Sequence, residues 1–201
     1  MKLVAVFAAS LLSAAALAQS TTVETESATA GLLGKRYVAA GFGWTDINHS
    51  TVEGMDAGLG VNVPVFANVD LSVGYSYAWL EGDIGLAHEL NTAVTGYITR
   101  GQDKYFASAV LGYDWIDSDR NIGGDHAVWG AEVGIERAVN DTVSVTVSAG
   151  YADDFGQHRD SLWKGTLGAT YNFTAKVVGA ASVSLLEGGS IGYNAGVAFR
   201  F

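Results

Sequence analysis

From residue 35 to its end the chain alternates residue by residue between apolar positions and small or polar ones. A strand sends successive side chains to opposite faces, so this period of two predicts strands with one oily and one polar face. Ten such stretches follow one another: 36–46, 54–65, 69–80, 89–100, 104–116, 126–137, 142–152, 162–173, 176–186 and 190–201. In the third, Leu71, Val73, Tyr75, Tyr77 and Trp79 oppose Ser72, Gly74, Ser76 and Ala78. The fourth is ambiguous in parity. It is read with Leu90, Thr92, Val94, Gly96 and Ile98 on the oily face and Tyr97 opposite. Spacers after the even stretches are short. Those after the first, third, fifth and seventh are longer and carry Asp, Glu and His.

The last stretch shows the pattern most clearly. Ile191, Tyr193, Ala195, Val197, Phe199 and Phe201 form one row, and Gly192, Asn194, Gly196, Ala198 and Arg200 the other. An oily row ending on a bare Phe suits a strand lying against lipid. In this the chain resembles the Gram-negative outer-membrane β-barrel proteins, in the broad group of OmpX-like and OmpA-barrel-like proteins labelled porin family. The resemblance covers residues 35–201 and is specific to the class rather than to a function. It implies an all-β, closed, antiparallel up-and-down transmembrane barrel in the bacterial outer membrane. It also implies that Tyr193, Phe199 and Phe201 form the signal read by the barrel-assembly machinery. Ten strands are expected, each about 11 residues, the length that crosses a bilayer when tilted. Backbone groups cannot go unpaired in lipid, so the sheet must close. Eight strands are the alternative, with the fourth and ninth stretches as loops.

The segment before the barrel is different. Lys2, then apolar residues 3–17, then Ala16-Leu17-Ala18 before Gln19 read as a cleaved Sec-type signal peptide over 1–18. Residues 19–34 are expected to be a disordered periplasmic leader, because 19–30 (QSTTVETESATA) is polar and has no period. No later apolar run approaches the ~20 residues of a membrane helix. The absence of Cys excludes a disulfide framework, a zinc–thiolate site and a lipoprotein anchor. A net charge of −10 argues against nucleic acid, which needs a basic stripe.

Aromatic and charged residues sort along the expected barrel axis. If the first strand rises outward, all five Trp (Trp44, Trp79, Trp115, Trp129, Trp163) fall at the outer rim. Phe66, Tyr105, Tyr171, Phe173, Phe199 and Phe201 fall at the opposite rim. Such rings settle at membrane interfaces, giving two girdles. Lys35, Arg36, Arg100, Lys104, Arg137, Lys176 and Arg200 gather at the periplasmic rim. The outer loops gather Asp46, Glu53, Glu81, Asp83, Glu89, Asp117, Asp119, Asp125, Asp153, Asp154, Asp160 and Glu187. This acidic crown would repel lipopolysaccharide unless Mg²⁺ or Ca²⁺ bridged the two, although a plain solvated loop surface is the favoured explanation. Inward parity falls on Asp56, Asp114, Glu132, Glu136, Lys164 and Arg200. These charges either pair and fill the interior or line a thin polar pore.

Little in the sequence points to catalysis, to a cofactor or to a resident metal. His49, His88, His126 and His158 lie in or beside the four longer loops. Barrel proteases are built on Asp and His, and lipid A-modifying barrels on His and Ser. The proteases are much longer. The acyltransferases carry an amphipathic helix that 19–30 cannot form. The deacylases use His-x-Ser where this chain has His158-Arg159-Asp160-Ser161. Asp117-Ser118-Asp119-Arg120-Asn121 opens like a calcium loop, but Ile122 replaces its Gly and Val128 its closing Glu. No enzyme is expected. A structural, envelope or surface-interaction role is, with a narrow channel for small polar solutes as the alternative and a lipid A-modifying or proteolytic barrel as the second.

Overall fold

The computed structural model describes residues 30–46, 53–80, 85–117, 125–155 and 161–201. Ten strands fill these spans: β1 Tyr37–Asp46, β2 Glu53–Phe66, β3 Val69–Leu80, β4 Gly85–Arg100 and β5 Asp103–Asp117, then β6 His126–Ala138, β7 Val143–Asp154, β8 Leu162–Asn172, β9 Val177–Leu186 and β10 Ile191–Arg200. Each pairs antiparallel with its neighbours in sequence, and β10 returns to β1 from Tyr37↔Arg200 to Asp46↔Ile191. The sheet is a closed up-and-down barrel with no free edge. The eight-strand alternative is set aside, because β4 and β9 are each paired along both sides.

Every strand keeps the expected parity. In β4, Leu90, Thr92, Val94 and Ile98 are exposed on the outside, and Tyr97 is buried inside. Large apolar residues cover the exterior, where Leu59, Leu111, Val133, Leu167 and Leu185 are each more than half exposed. A water-soluble fold would bury such residues, so the exposed belt is the surface of a protein solvated by lipid.

The β2–β3, β4–β5, β6–β7 and β8–β9 turns are short and lie at the mouth where β1 begins and β10 ends, called the lower mouth below, while the short β9–β10 turn, Glu187–Gly189, lies at the other. Asn68, with φ of 62°, turns β2 into β3, and Gly101, with φ of 64°, turns β4 into β5. At the β6–β7 turn the Asn140 side-chain oxygen accepts from the Thr142 and Val143 amides, each at 2.8 Å. Thr174 Oγ1 accepts from the Lys176 and Val177 amides at the β8–β9 turn. Near the end of β2 the ladder slips between Pro64 and Phe66, where proline has no N–H to give.

The core of this barrel is its lumen. Inward hydroxyls bridge strands there: Thr95 to Ser108 at 2.9 Å, Ser144 to Thr170 at 2.7 Å and Thr166 to Ser184 at 3.0 Å. Packing is tight where Phe106 lies over Gly134. A Cβ at Gly134 would stand 2.5 Å from the Phe106 ring and 2.7 Å from both Ser148 Cβ and the Val147 carbonyl oxygen. Backbone cannot give way inside a paired sheet. Gly134→Ala is therefore expected to destabilise the barrel by about 1–3 kcal/mol, read as a lower urea midpoint in detergent.

Candidate functional site: the lumen and its lower mouth

Residues 30–34, Ala-Gly-Leu-Leu-Gly, cross the lower mouth from inside. The two leucines point to different walls. Leu32 packs with Tyr37, Val178 and Ala198, and Leu33 packs with Tyr97 and Phe106. Both are at most 3% exposed. The backbone between them is bonded to lumen charges. Leu32 N–H donates to Glu136 Oε2 at 3.1 Å, Arg200 Nη2 donates to the Gly31 carbonyl at 2.6 Å, and Lys104 Nζ donates to the Leu33 carbonyl. Arg200 Nη2 also reaches Asn172 Oδ1 at 3.0 Å, and Asn62 Nδ2 donates to the Lys35 carbonyl at 3.0 Å. Gly31 has φ of 104°, and a Cβ there would run into the Glu136 carboxylate. Only glycine fits that position.

This corrects the expectation of a disordered leader through residue 34. The last five residues are ordered and buried, because two adjacent leucines after a polar stretch find apolar pockets and their amides find charged partners. Residues 1–29, on which the expected signal peptide and the rest of the expected leader fall, lie outside the described residues.

The six predicted lumen charges all lie on inward rows. Glu136 and Arg200 hold the segment at the lower mouth. Glu132 and Lys164, both buried, attract each other, Glu132 midway along β6 and Lys164 near the upper end of β8. Asp56 and Asp114 lie higher than Glu132, Asp56 partly buried and Asp114 fully. Glu89, expected in an outer loop, is a second correction. The strand begins at Gly85 rather than 89, so Glu89 sits inside β4, fully buried on the inward row and directly across from Asp114. Sequence reasoning also missed Tyr37, Asp70 and Lys104 as mouth-lining groups. Lys104 was placed at the rim. Its parity, opposite to outward Tyr105, was the available signal.

The exterior carries the aromatic positions. All five Trp lie on outward rows near the rim opposite the lower mouth, here the upper rim. Trp44 stacks on Tyr193 with centroids 5.4 Å apart, and Trp129 and Trp163 both adjoin Tyr151. Near the lower mouth Tyr171, Phe173, Phe199 and Phe201 are exposed, and Tyr171 meets Phe173 edge to face at 5.1 Å. Two of the four histidines are described. His88 faces outward, stacked on Trp115 at 5.3 Å and bonded through Nδ1 to the Tyr75 hydroxyl at 2.7 Å. His126 faces inward beside Asp114. The wall separates them, so they belong to no common site. His49, His158, Glu81, Asp83, Asp119, Asp160 and residues 118–122 of the calcium-like loop lie outside the described residues.

No protein-family model matches the chain, and no curated protein matches it in sequence. Among solved structures it is similar to the NanC porin, with a TM-score of 0.51 and 9% identity over 82% of this chain and 100% of that one. It is also similar to the translocator domain of the autotransporter NalP from Neisseria meningitidis, with a TM-score of 0.48 and 13% identity over 98% and 95% of the two chains. Neisserial surface protein A aligns with a TM-score of 0.45 and 14% identity over 83% and 97%. At these identities the likeness is one of fold. The chain has the fold of the small outer-membrane β-barrels.

Proposed function

We propose that this is an integral outer-membrane protein with a sealed lumen, serving the envelope or presenting a surface, and not a solute channel. The observation that carries this reading is the segment 30–34, bonded to Glu136, Lys104 and Arg200 across the lower mouth. The buried, inward side chains of Glu132 and Lys164 occupy part of the bore above it. Planar-bilayer recording of the mature protein is the test. A flat trace is expected. Steady unitary steps would overturn the reading in favour of a narrow pore for small polar solutes.

The reading gives the exposed C-terminal row of Tyr193, Phe199 and Phe201 to the barrel-assembly machinery, and the exterior to lipid and lipopolysaccharide. Phe201 is 63% exposed, and its backbone N–H reaches the Arg36 carbonyl at 3.3 Å, so removing its side chain disturbs little packing. Phe201→Ala is therefore expected to lower the amount of assembled barrel in cells while leaving the unfolding midpoint of the refolded protein unchanged. A fall in both would assign Phe201 a structural role instead. The reading includes no catalysis, in keeping with the two described histidines lying on opposite faces of the wall. Lipid A of unchanged mass with and without the gene is the expected result.

A further inference from the structure

The upper half of the lumen gathers acid, and among the described residues its strong base, Lys164 on β8, lies by Glu132 rather than by the three carboxylates Asp56, Glu89 and Asp114. Asp56 on β2, Glu89 on β4 and Asp114 on β5 all point inward, with His126 on β6 beyond them. The register sets Glu89 directly across from Asp114, and Asp114 directly across from His126. Glu89 is wholly buried and Asp114 is 1% exposed. Glu89 Oε1 accepts from Asn91 Nδ2 at 2.7 Å, but among the described residues Glu89 Oε2 and both Asp114 oxygens find no hydrogen-bond donor. His126 Nε2 stands 3.8 Å from Asp114 Oδ2, too far to bond it. Among the described residues the strong bases of the lumen lie elsewhere: Lys164 feels the charge of Glu132, and Lys104 and Arg200 bond the segment at the lower mouth. Ala93, Val110 and Val128 form an apolar cluster on the same three strands that carry Glu89, Asp114 and His126. Two facing buried carboxylates with bare oxygens are costly unless something positive sits between them.

We propose that these side chains bind a hard divalent cation, Ca²⁺ or Mg²⁺, with Glu89 and Asp114 as its anionic ligands. Asp56, whose charge reaches Glu89, stands by as a third, and the Asn91 carbonyl oxygen as a neutral one. Oxygen donors of this kind select hard cations over zinc or copper. Among the described residues no three His, Asp or Glu side chains already converge on one point. The ion therefore keeps water in part of its shell, as these cations commonly do. The site is separate from any bridging of the outer loops to lipopolysaccharide. It does not rest on the sealed lumen, since it lies above the lower mouth whether that mouth is open or shut.

The test uses the mature chain in zwitterionic detergent, first with EDTA and then with CaCl₂ or MgCl₂ at about 1 mM. The unfolding midpoint of the wild type is expected to rise by about 5 °C with the cation. In E89Q/D114N the rise disappears, and the cation-free midpoint stands at or above that of wild type because the repulsion is gone. Equilibrium dialysis with calcium is expected to find one tightly held ion fewer per chain in the variant. Should the double variant fail to fold, E89Q alone is expected to weaken the response. A wild type indifferent to both cations overturns the proposal and leaves the pair sharing a proton. A rise that survives in the variant also overturns it, since loop carboxylates would then be the binders.

Discussion

Replacing Leu32 and Leu33 together with Asp is expected to turn a silent barrel into a conducting one. Each leucine now contributes about 1.5–3 kcal/mol through burial. An unpaired carboxylate in the same pocket would cost about 2 kcal/mol or more. The hydrogen bond that Glu136 accepts and those that Lys104 and Arg200 donate contribute about 1.5–3 kcal/mol each at most, being charge-assisted, and they depend on the leucines to hold the backbone in place. With both leucines changed, the segment leaves the mouth while the ten-stranded wall, paired on every side, remains. Planar-bilayer recording should then show unitary steps that favour cations, since Asp56, Glu89 and Asp114 line the upper half. A chain lacking 30–34 should behave alike. If both variants are as silent as wild type, the bore is blocked by its own side chains, and the segment is only an ornament of the lower mouth.

The second large effect concerns the outside. Leu167 lies midway along β8, on the outward row and 52% exposed. On a protein bathed in water, Arg at so exposed a position would change stability by less than about 0.5 kcal/mol. Facing the middle of a bilayer, it costs about 2–4 kcal/mol. Leu167→Arg is therefore expected to lower the unfolding free energy in lipid bilayers by that amount, with Leu167→Phe close to wild type. Unfolding titrations in vesicles measure both. An Arg variant as stable as wild type would deny that this face meets lipid.

The wall was legible in the sequence because barrel strands in lipid obey one strict rule. Oily residues must face out and small or polar ones in, so parity alone placed Phe42, Leu59, Leu111 and Val197 outside and Asp114, Glu132 and Lys164 inside. Even the ambiguous fourth strand resolved as read, because Leu90, Val94 and Ile98 share one row with Thr92. What stayed hidden was whatever did not repeat. The segment 30–34 is too short for a period, and its two leucines look like the tail of a polar leader. Apart from Tyr37, their partners lie some 65–170 residues away in sequence, at Tyr97, Phe106, Val178 and Ala198. Glu89 was misplaced for a related reason. Strand ends have no sharp signal, and a charged residue near one reads as loop. Lys104 reads in the sequence as a rim charge alone, but its long side chain turns inward onto the segment at the mouth, as that of Arg200 does from its expected inward row.

The most direct test of the whole account is a spin-label scan of β8. The chain has no cysteine, so a single one can be placed in turn at each position from 162 to 172 and labelled in lipid vesicles. The account predicts a strict alternation. Labels at 163, 165, 167, 169 and 171 should collide with oxygen dissolved in lipid and not with an aqueous nickel chelate, while those between them should be shielded from both. Nickel access at 165, 167 and 169, or the loss of the two-residue period, would contradict a lipid-facing wall around a filled lumen.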